Sequence, residues 1–265
     1  MQTLKDMSPE ESAPDIAIIG GVSTFLPRDS ESSLLETPFG NVNAYFTKGN
    51  GRNVVIVPRH ADGAKHVPPH RINYRAIVMA IKQLGVERII SVNSVGTMKN
   101  HPIGSIVLAE DFLDFTRNRI STFYDDITAH VDMTEPYCPQ IRQTFKSVLK
   151  KRKMGFSEGV YVCTEGPRFE TRAEIRMMSQ FGDFVGMTGV PEVVLAKELK
   201  LCYASVCTVT NNACGMDEKK VTASEVVNIL QEKRELLFDV IMEAIEQIPE
   251  NRNCHCSESM TDACL

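Results

Sequence analysis

Short apolar runs alternate with helically spaced segments along most of the chain. Residues 15–19, 54–57, 88–92, 105–109, 160–163, 183–186 and 202–209 are compact, mostly apolar stretches of strand length, as expected for strands buried on both faces. Between the second and third of these, Tyr74, Ile77, Val78 and Ile81 recur at three- and four-residue intervals and stop at Gly85, which predicts a helix. Residues 173–178, 190–199 and 223–248 are read as further helices, and Lys150 stands at the end of another. A strand, helix, strand order implies parallel pairing, because only a crossover of that length can join parallel neighbours. The predicted fold class is α/β: a single domain with a central mixed, largely parallel sheet surrounded by helices. Residues 1–14 are expected to be a loose N-terminus, 15–249 the domain, and 250–265 a cysteine-containing tail.

Ligands of open α/β sheets collect beyond the carboxyl ends of the strands, so the peptides that follow each strand carry the candidate chemistry. Gly20-Gly21-Val22-Ser23-Thr24 offers backbone N–H groups with hydroxyls at its end. Arg59-His60, Asn93-Ser94 and Thr188 add a guanidinium, an imidazole, an amide and two hydroxyls at other strand ends. Together they describe an anion pocket for one phosphate. Neither the Gly-x-Gly-x-x-Gly nor the Walker pattern occurs, which argues against a dinucleotide or nucleoside triphosphate. The segment Thr164-Glu165-Gly166-Pro167-Arg168-Phe169-Glu170-Thr171 sets an aromatic ring beside a carboxylate where a strand turns into a helix. Phe169 can stack on a flat base, and an ionised Glu170 can only accept hydrogen bonds, favouring a base with N–H groups along one edge. By itself, Glu170 could equally serve to charge the first turn of the helix after it.

Composition narrows the partners. The chain has 265 residues, 43% hydrophobic and 24% charged, enough to bury a core without disulfides. A net charge of −5 excludes a phosphate-tracking nucleic-acid surface, and the basic run Lys150-Lys151-Arg152-Lys153 reads as the solvated end of a helix. No apolar run reaches transmembrane length, and the first fourteen residues lack a signal pattern, so a cytoplasmic protein is expected, with no membrane partner. Of eight cysteines, Cys138, Cys163, Cys202, Cys207 and Cys214 lie in apolar contexts and read as buried thiols. Cys254-His255-Cys256, with Cys264 beyond, sits among polar residues that read as disorder. It lacks the Cys-x2–4-Cys pairs usual for zinc, so no metal is expected.

The motifs Ile18-Ile19-Gly20-Gly21, Thr37-Pro38-Phe39-Gly40, Pro58-Arg59-His60, His66-Val67-Pro68-Pro69-His70-Arg71-Ile72-Asn73-Tyr74, Glu165-Gly166-Pro167-Arg168-Phe169 and Gly186-Met187-Thr188-Gly189-Val190-Pro191-Glu192-Val193 follow one another in this order. In them the chain resembles the trimeric-type purine nucleoside phosphorylases, in the branch with methylthioadenosine and methylthioinosine phosphorylases. That resemblance implies attack of inorganic phosphate, as co-substrate and with no cofactor, on the anomeric carbon of a purine nucleoside. It further implies a homotrimer or a dimer of trimers.

By carry-over, Arg59, His60, Ser94 and Thr188 would hold phosphate, with Asn93 beside them and Ser23 supplying the hydroxyl usually found directly after the second glycine. Met187 would pack against the ribose, Phe169 would stack on the base, and Asn211 would hydrogen-bond N7 and the 6-substituent, flanked by Asn212. His60, Glu170 and Asn211 are the expected catalytic set. Relatives acting on 6-aminopurines carry a small hydroxylic residue and two Asp where this chain has Glu170, Asn211 and Ala213. Inosine- and guanosine-type substrates are therefore expected. Val221, Ala223 and Val226 would give the sugar's 5′ end an apolar lining, which leaves 5′-methylthioinosine or 5′-methylthioadenosine as alternative substrates. His66 and His70 are further candidates near the sugar. A nucleoside hydrolase or a non-catalytic nucleoside-binding module are the readings from other classes. Distant archaeal members resemble the chain in a Cys-x-Cys tail and paired internal cysteines, a likeness that points to Cys138 with Cys202.

Overall fold

The structure, a computed structural model, describes residues 13–265 apart from 23, 50, 63 and 64. Ser23 and nearly all of the expected loose N-terminus lie outside the described residues. The chain runs β1 (Ile16–Gly20), β2 (Glu31–Thr37), β3 (Gly40–Gly49), β4 (Arg52–Pro58), β5 (Ala61–Asp62), β6 (Lys65–His66), α1 (Tyr74–Gln83), β7 (Arg88–Thr97) and β8 (Ile106–Phe115). It continues through α2 (Pro139–Lys151), β9 (Phe156–Thr164), α3 (Arg172–Met178), β10 (Phe184–Gly186), α4 (Gly189–Glu198), β11 (Cys202–Asn212) and α5 (Ala223–Gln247).

Nine strands form one mixed sheet in the order β10-β9-β8-β11-β7-β1-β4-β3-β2, and an extra β10–β7 pairing closes the first five into a ring. The expected parallel core is present: β1 pairs in parallel with both β4 and β7, and β7 with β11. However, β4 and β7, which flank α1 in sequence, do not pair with each other, because β1 lies between them. The antiparallel hairpin of β2 and β3 is an addition to the predicted elements; its strands are half-exposed and lack a continuous apolar run.

Successive side chains of a strand point to opposite faces. Ala17 and Ile19 of β1, with Val55 and Val57 of β4, pack on the side of α1 and α4. Ile16, Ile18, Val54 and Ile56 pack on the side of α2 and α5. Both faces are covered by helices, which is why these strands read as unbroken apolar runs. A third cluster joins Ile175 and Met178 of α3 to Met98, Val162, Val185 and Ala213, and seats the corner before α3 against the sheet.

The tail differs from its expected disorder. Residues 255–258 form a turn of 3-10 helix, Cys254, Cys256 and Ser259 are buried, and the Ser259 hydroxyl donates to the Lys197 carbonyl at 2.6 Å. Its polar composition hides this docking, which uses hydrogen bonds and thiols in place of apolar bulk. No helix among the described residues is long and apolar enough to cross a membrane.

Candidate active site

A cavity of about 400 Å³ opens beyond the carboxyl ends of the strands. It gathers Arg59, His60, Ser94, Phe169, Glu170, Met187, Thr188, Asn211, Ala213 and Ala223 from separate places in the chain. Gly21, His66 and Val226 also line it. A larger hollow of about 820 Å³ lies between β3 and α5. There, Lys151 and Arg152 are already paired with Glu243, as a solvated helix end would be, and none of the strand-end residues is present.

Among the described residues, Asn93, Asn212, Val221 and His70 fall outside the cavity, the first two for one reason. β7 does not end at Val92 but runs on to Thr97, so Asn93 and Ser94 point to opposite faces. Ser94 lines the cavity, while Asn93 is buried behind it, donating to Ser91 and Ser205 and accepting from the Thr188 hydroxyl at 2.8 Å. In β11, which extends to Asn212, Asn211 likewise faces the cavity, while Asn212 turns to a neighbouring hollow and donates to Asp217. Val221 lines that neighbouring hollow as well, and His70 is exposed outside the cavity.

At one end sit a cation and a neutral imidazole. Arg59 is 2% exposed and paired with the fully buried Glu192, Nε to Oε1 at 2.6 Å and Nη2 to Oε2 at 3.1 Å. Nη2 also donates to Ser91 and Nη1 to the Val92 carbonyl, which leaves one Nη1 hydrogen of the guanidinium fork uncommitted. Glu192 accepts further hydrogen bonds from Ser91 and Tyr203. Its role was missed by sequence reasoning. The signal was a carboxylate in the otherwise apolar stretch Val190-Pro191-Glu192-Val193-Val194. Burial and the adjacent Arg59 charge push His60 down to about 4, so its ring is neutral near pH 7. Its Nδ1 lies 2.9 Å from the Val67 carbonyl, to which it donates, leaving Nε2 as an acceptor. The ring stacks on His66 at 5.1 Å.

The other end is built by the corner before α3. Thr171 is the N-cap of α3 and forms a capping box with Glu174, so the helix terminus is satisfied without Glu170. Glu170 lies before the helix, not in its first turn, and is 8% exposed. It receives the Thr164 hydroxyl at 2.6 Å. Burial raises its pKa above the ordinary carboxylate range, and the Thr164 hydrogen bond opposes that shift. Phe169 remains 38% exposed at the rim. Arg119, also missed, ties the corner down by donating to the carbonyls of Thr164, Glu165 and Val190.

A bulge in β11 between Val209 and Asn211 sets Asn211 opposite Gly96 of β7. A methyl at Gly96 would stand 3.0 Å from the Asn211 amide nitrogen, so the bare glycine gives that amide its room. Asn211 donates to the Asn212 carbonyl and accepts from the Thr210 hydroxyl, which leaves one N–H and one lone pair for a ligand. Of the thiols expected to be buried, only Cys214 is partly open, and it lines the cavity. Cys163 and Cys207 are pushed up to about 12 by burial, as inert core thiols would be.

One cavity thus brings the Arg59 cation, the neutral His60 and the hydroxyls of Ser94 and Thr188 together with Phe169, Glu170, Met187 and Asn211. The family described as the phosphorylase superfamily matches residues 15–246. The chain is 56% identical to a protein of Methanosarcina acetivorans named as a probable S-methyl-5'-thioinosine phosphorylase, covering 98% of this chain and 100% of that one. It is 43% identical to a 6-oxopurine nucleoside phosphorylase of Pyrococcus furiosus, covering 94% and 99% respectively. Among solved structures, a methylthioadenosine phosphorylase from an Antarctic soil metagenomic library superposes with a TM-score of 0.87 at 31% identity, covering 96% of this chain and 93% of that one.

Proposed function

We propose that this chain, which belongs to the phosphorylase superfamily and is a pentosyltransferase of the purine nucleoside phosphorylase kind, acts on 6-oxopurine nucleosides, releasing free base and pentose 1-phosphate. A phosphate oxygen attacks C1′ from below the sugar, and the C1′–N9 bond breaks with its electron pair passing to the purine. The spare Nη1 hydrogen of Arg59, the backbone at Gly21 and the hydroxyls of Ser94 and Thr188 hold the phosphate, the Thr188 hydroxyl turning from Asn93 to donate. Neutral His60 accepts at Nε2 a hydrogen bond from the P–OH of monoprotonated phosphate. Met187 supports the ribose, and Phe169 stacks on the base. Rate acceleration then comes from placing phosphate against a developing oxocarbenium ion and from hydrogen bonds to the leaving purine.

The observation that carries the 6-oxo preference is the buried Glu170 carboxylate in the same cavity as the Asn211 amide. Ionised, it accepts N1–H, which 6-oxopurines have and 6-aminopurines lack, while Asn211 donates to O6 and accepts from protonated N7. Because Glu170 is buried and Asn211 half-buried, a mismatched base would leave them unpaired at a cost of about 1–3 kcal/mol each. A second reading, 5′-methylthioinosine as the preferred member of this class, is supported by Ala223, Val226 and Val227, which give the cavity an apolar wall at the start of α5.

Initial rates with inosine, guanosine, adenosine and their 5′-methylthio forms, with and without phosphate, test both readings. Release of base that does not depend on phosphate, or no release, would sink phosphorolysis; preference for adenosine would sink the Glu170 argument. A kcat/KM for inosine above that for 5′-methylthioinosine would remove the second reading alone.

A further inference from the structure

Four cysteines from three distant parts of the chain meet near the start of β11, at the other end of that strand from the cavity. Cys138 precedes α2, Cys202 opens β11, and Cys254 and Cys256 come from the tail. All four are buried, their Sγ atoms lie within 4.8 Å of one another, and those of Cys202 and Cys254 are 3.4 Å apart. Tetrahedral zinc with Zn–S bonds of about 2.3 Å needs sulfurs roughly 3.8 Å apart, within the span observed. The tail's Cys-x-Cys spacing is shorter than in common zinc motifs, but the other two ligands come from elements fixed by the sheet.

The surroundings suit thiolates. Cys138 is the N-cap of α2, where the helix dipole favours negative charge, and Cys254 precedes the 3-10 turn of the tail. Arg252 lies close enough to Cys202 and Cys254 to interact with them electrostatically, and its Nε is buried without a hydrogen-bond partner. A buried donor of this kind is costly unless something accepts from it; Arg252 pairs with Glu87, Nη1 to Oε1 at 3.3 Å, and the adjacent thiolates offer a further acceptor.

We propose that Cys138, Cys202, Cys254 and Cys256 form a tetrathiolate zinc site that fastens the tail to the domain, with Arg252 beside it. Binding converts four thiols and Zn²⁺ into a complex of charge −2 with release of four protons. No electron is transferred, so no oxidant is needed, and the Arg252 cation offsets part of the charge. Residues 250–265 bring few apolar side chains of their own, and the metal supplies the docking energy that their composition does not.

The full chain, purified under reducing conditions without chelator and dialysed, should hold about one zinc per chain by elemental mass spectrometry. Cys254→Ser/Cys256→Ser should lower this about tenfold or more, while Cys264→Ser, an exposed cysteine outside the cluster, should leave it unchanged. Cobalt-loaded wild-type protein should show the intense visible bands of tetrahedral cobalt thiolate. If the double variant fails to fold, wild-type protein still decides: four thiols should become open to alkylation only after chelation. Metal-free protein with all eight thiols reducible and unprotected, or native protein lighter by the hydrogens of cysteine pairs joined as disulfides in this cluster, overturns the proposal.

Discussion

The Glu192 carboxylate grips Arg59 at both Nε and Nη2, 2.6 Å and 3.1 Å away, in a setting closed to solvent. The pair fixes the plane of the guanidinium, so that its one uncommitted hydrogen is held in place before any anion arrives. Removing one partner of a buried pair leaves the other charge uncompensated. Glu192→Gln should therefore cost on the order of 3 kcal/mol in urea unfolding. It should also raise the KM for phosphate more than the KM for nucleoside, a split that a merely structural role would not produce.

Glu170→Gln removes the negative acceptor but keeps the shape of the side chain. We expect kcat/KM for inosine to fall about 10- to 100-fold, corresponding to about 1.5–3 kcal/mol for a hydrogen bond to a charged group. Adenosine turnover should change much less. Glu170→Ser with Asn211→Asp should move the inosine-to-adenosine ratio further toward 6-aminopurines; an unchanged ratio in steady-state assays would count against the assignment.

The depressed His60 imidazole makes stability depend on pH. Its folded value of about 4 lies below the unfolded value of about 6.5. Between these, the unfolded chain binds a proton that the folded one does not, so stability rises with pH across this window. It is complete above about pH 6.5 and lost progressively down to about pH 4, by at most about 3 kcal/mol. Urea midpoints measured at pH 7 and pH 5 should differ less for His60→Asn than for wild type.

Gly186→Ala should disturb the site without touching a ligand-facing polar group. A methyl there would lie 2.3 Å from the Tyr161 hydroxyl, which accepts the backbone N–H groups of Thr188 and Gly189. Overpacking of this kind costs about 1–3 kcal/mol. Displacing Tyr161 would also shift Thr188, and phosphate KM should rise in parallel with a lower melting temperature.

Elements with a continuous apolar run or a clean helical period were legible in the sequence: β1, β4, β7, β11, α1 and α4 stand close to their expected places. The β2–β3 hairpin was not, because its half-exposed strands mix polar and apolar residues without a run. At the site, Arg59, His60, Ser94 and Thr188 were legible because each follows or ends a strand, Glu170 because it stands beside Phe169 at a strand-to-helix corner, and Asn211 only through the family resemblance. Asn93 and Asn212 were misplaced by strand ends read a few residues short, where one position changes the face. Glu192 and Arg119 act through other residues; a carboxylate in an apolar stretch marks Glu192 but does not say which side chain it serves, and nothing local marks Arg119. The cysteine cluster is a property of three distant segments, which spacing along the chain cannot express.

The closing pair of β10 with β7 has a mechanical consequence. Ser94 and Gly96 sit on one strand and Asn211 on its neighbour, and that ladder is locked into a ring rather than left as a free edge. The separation of Ser94 from Asn211 is thus set by a closed frame of strands, while Phe169 and Glu170 are carried by the corner before α3. Substrate selection can drift through changes in that corner while the separation of Ser94 from Asn211 keeps its calibration.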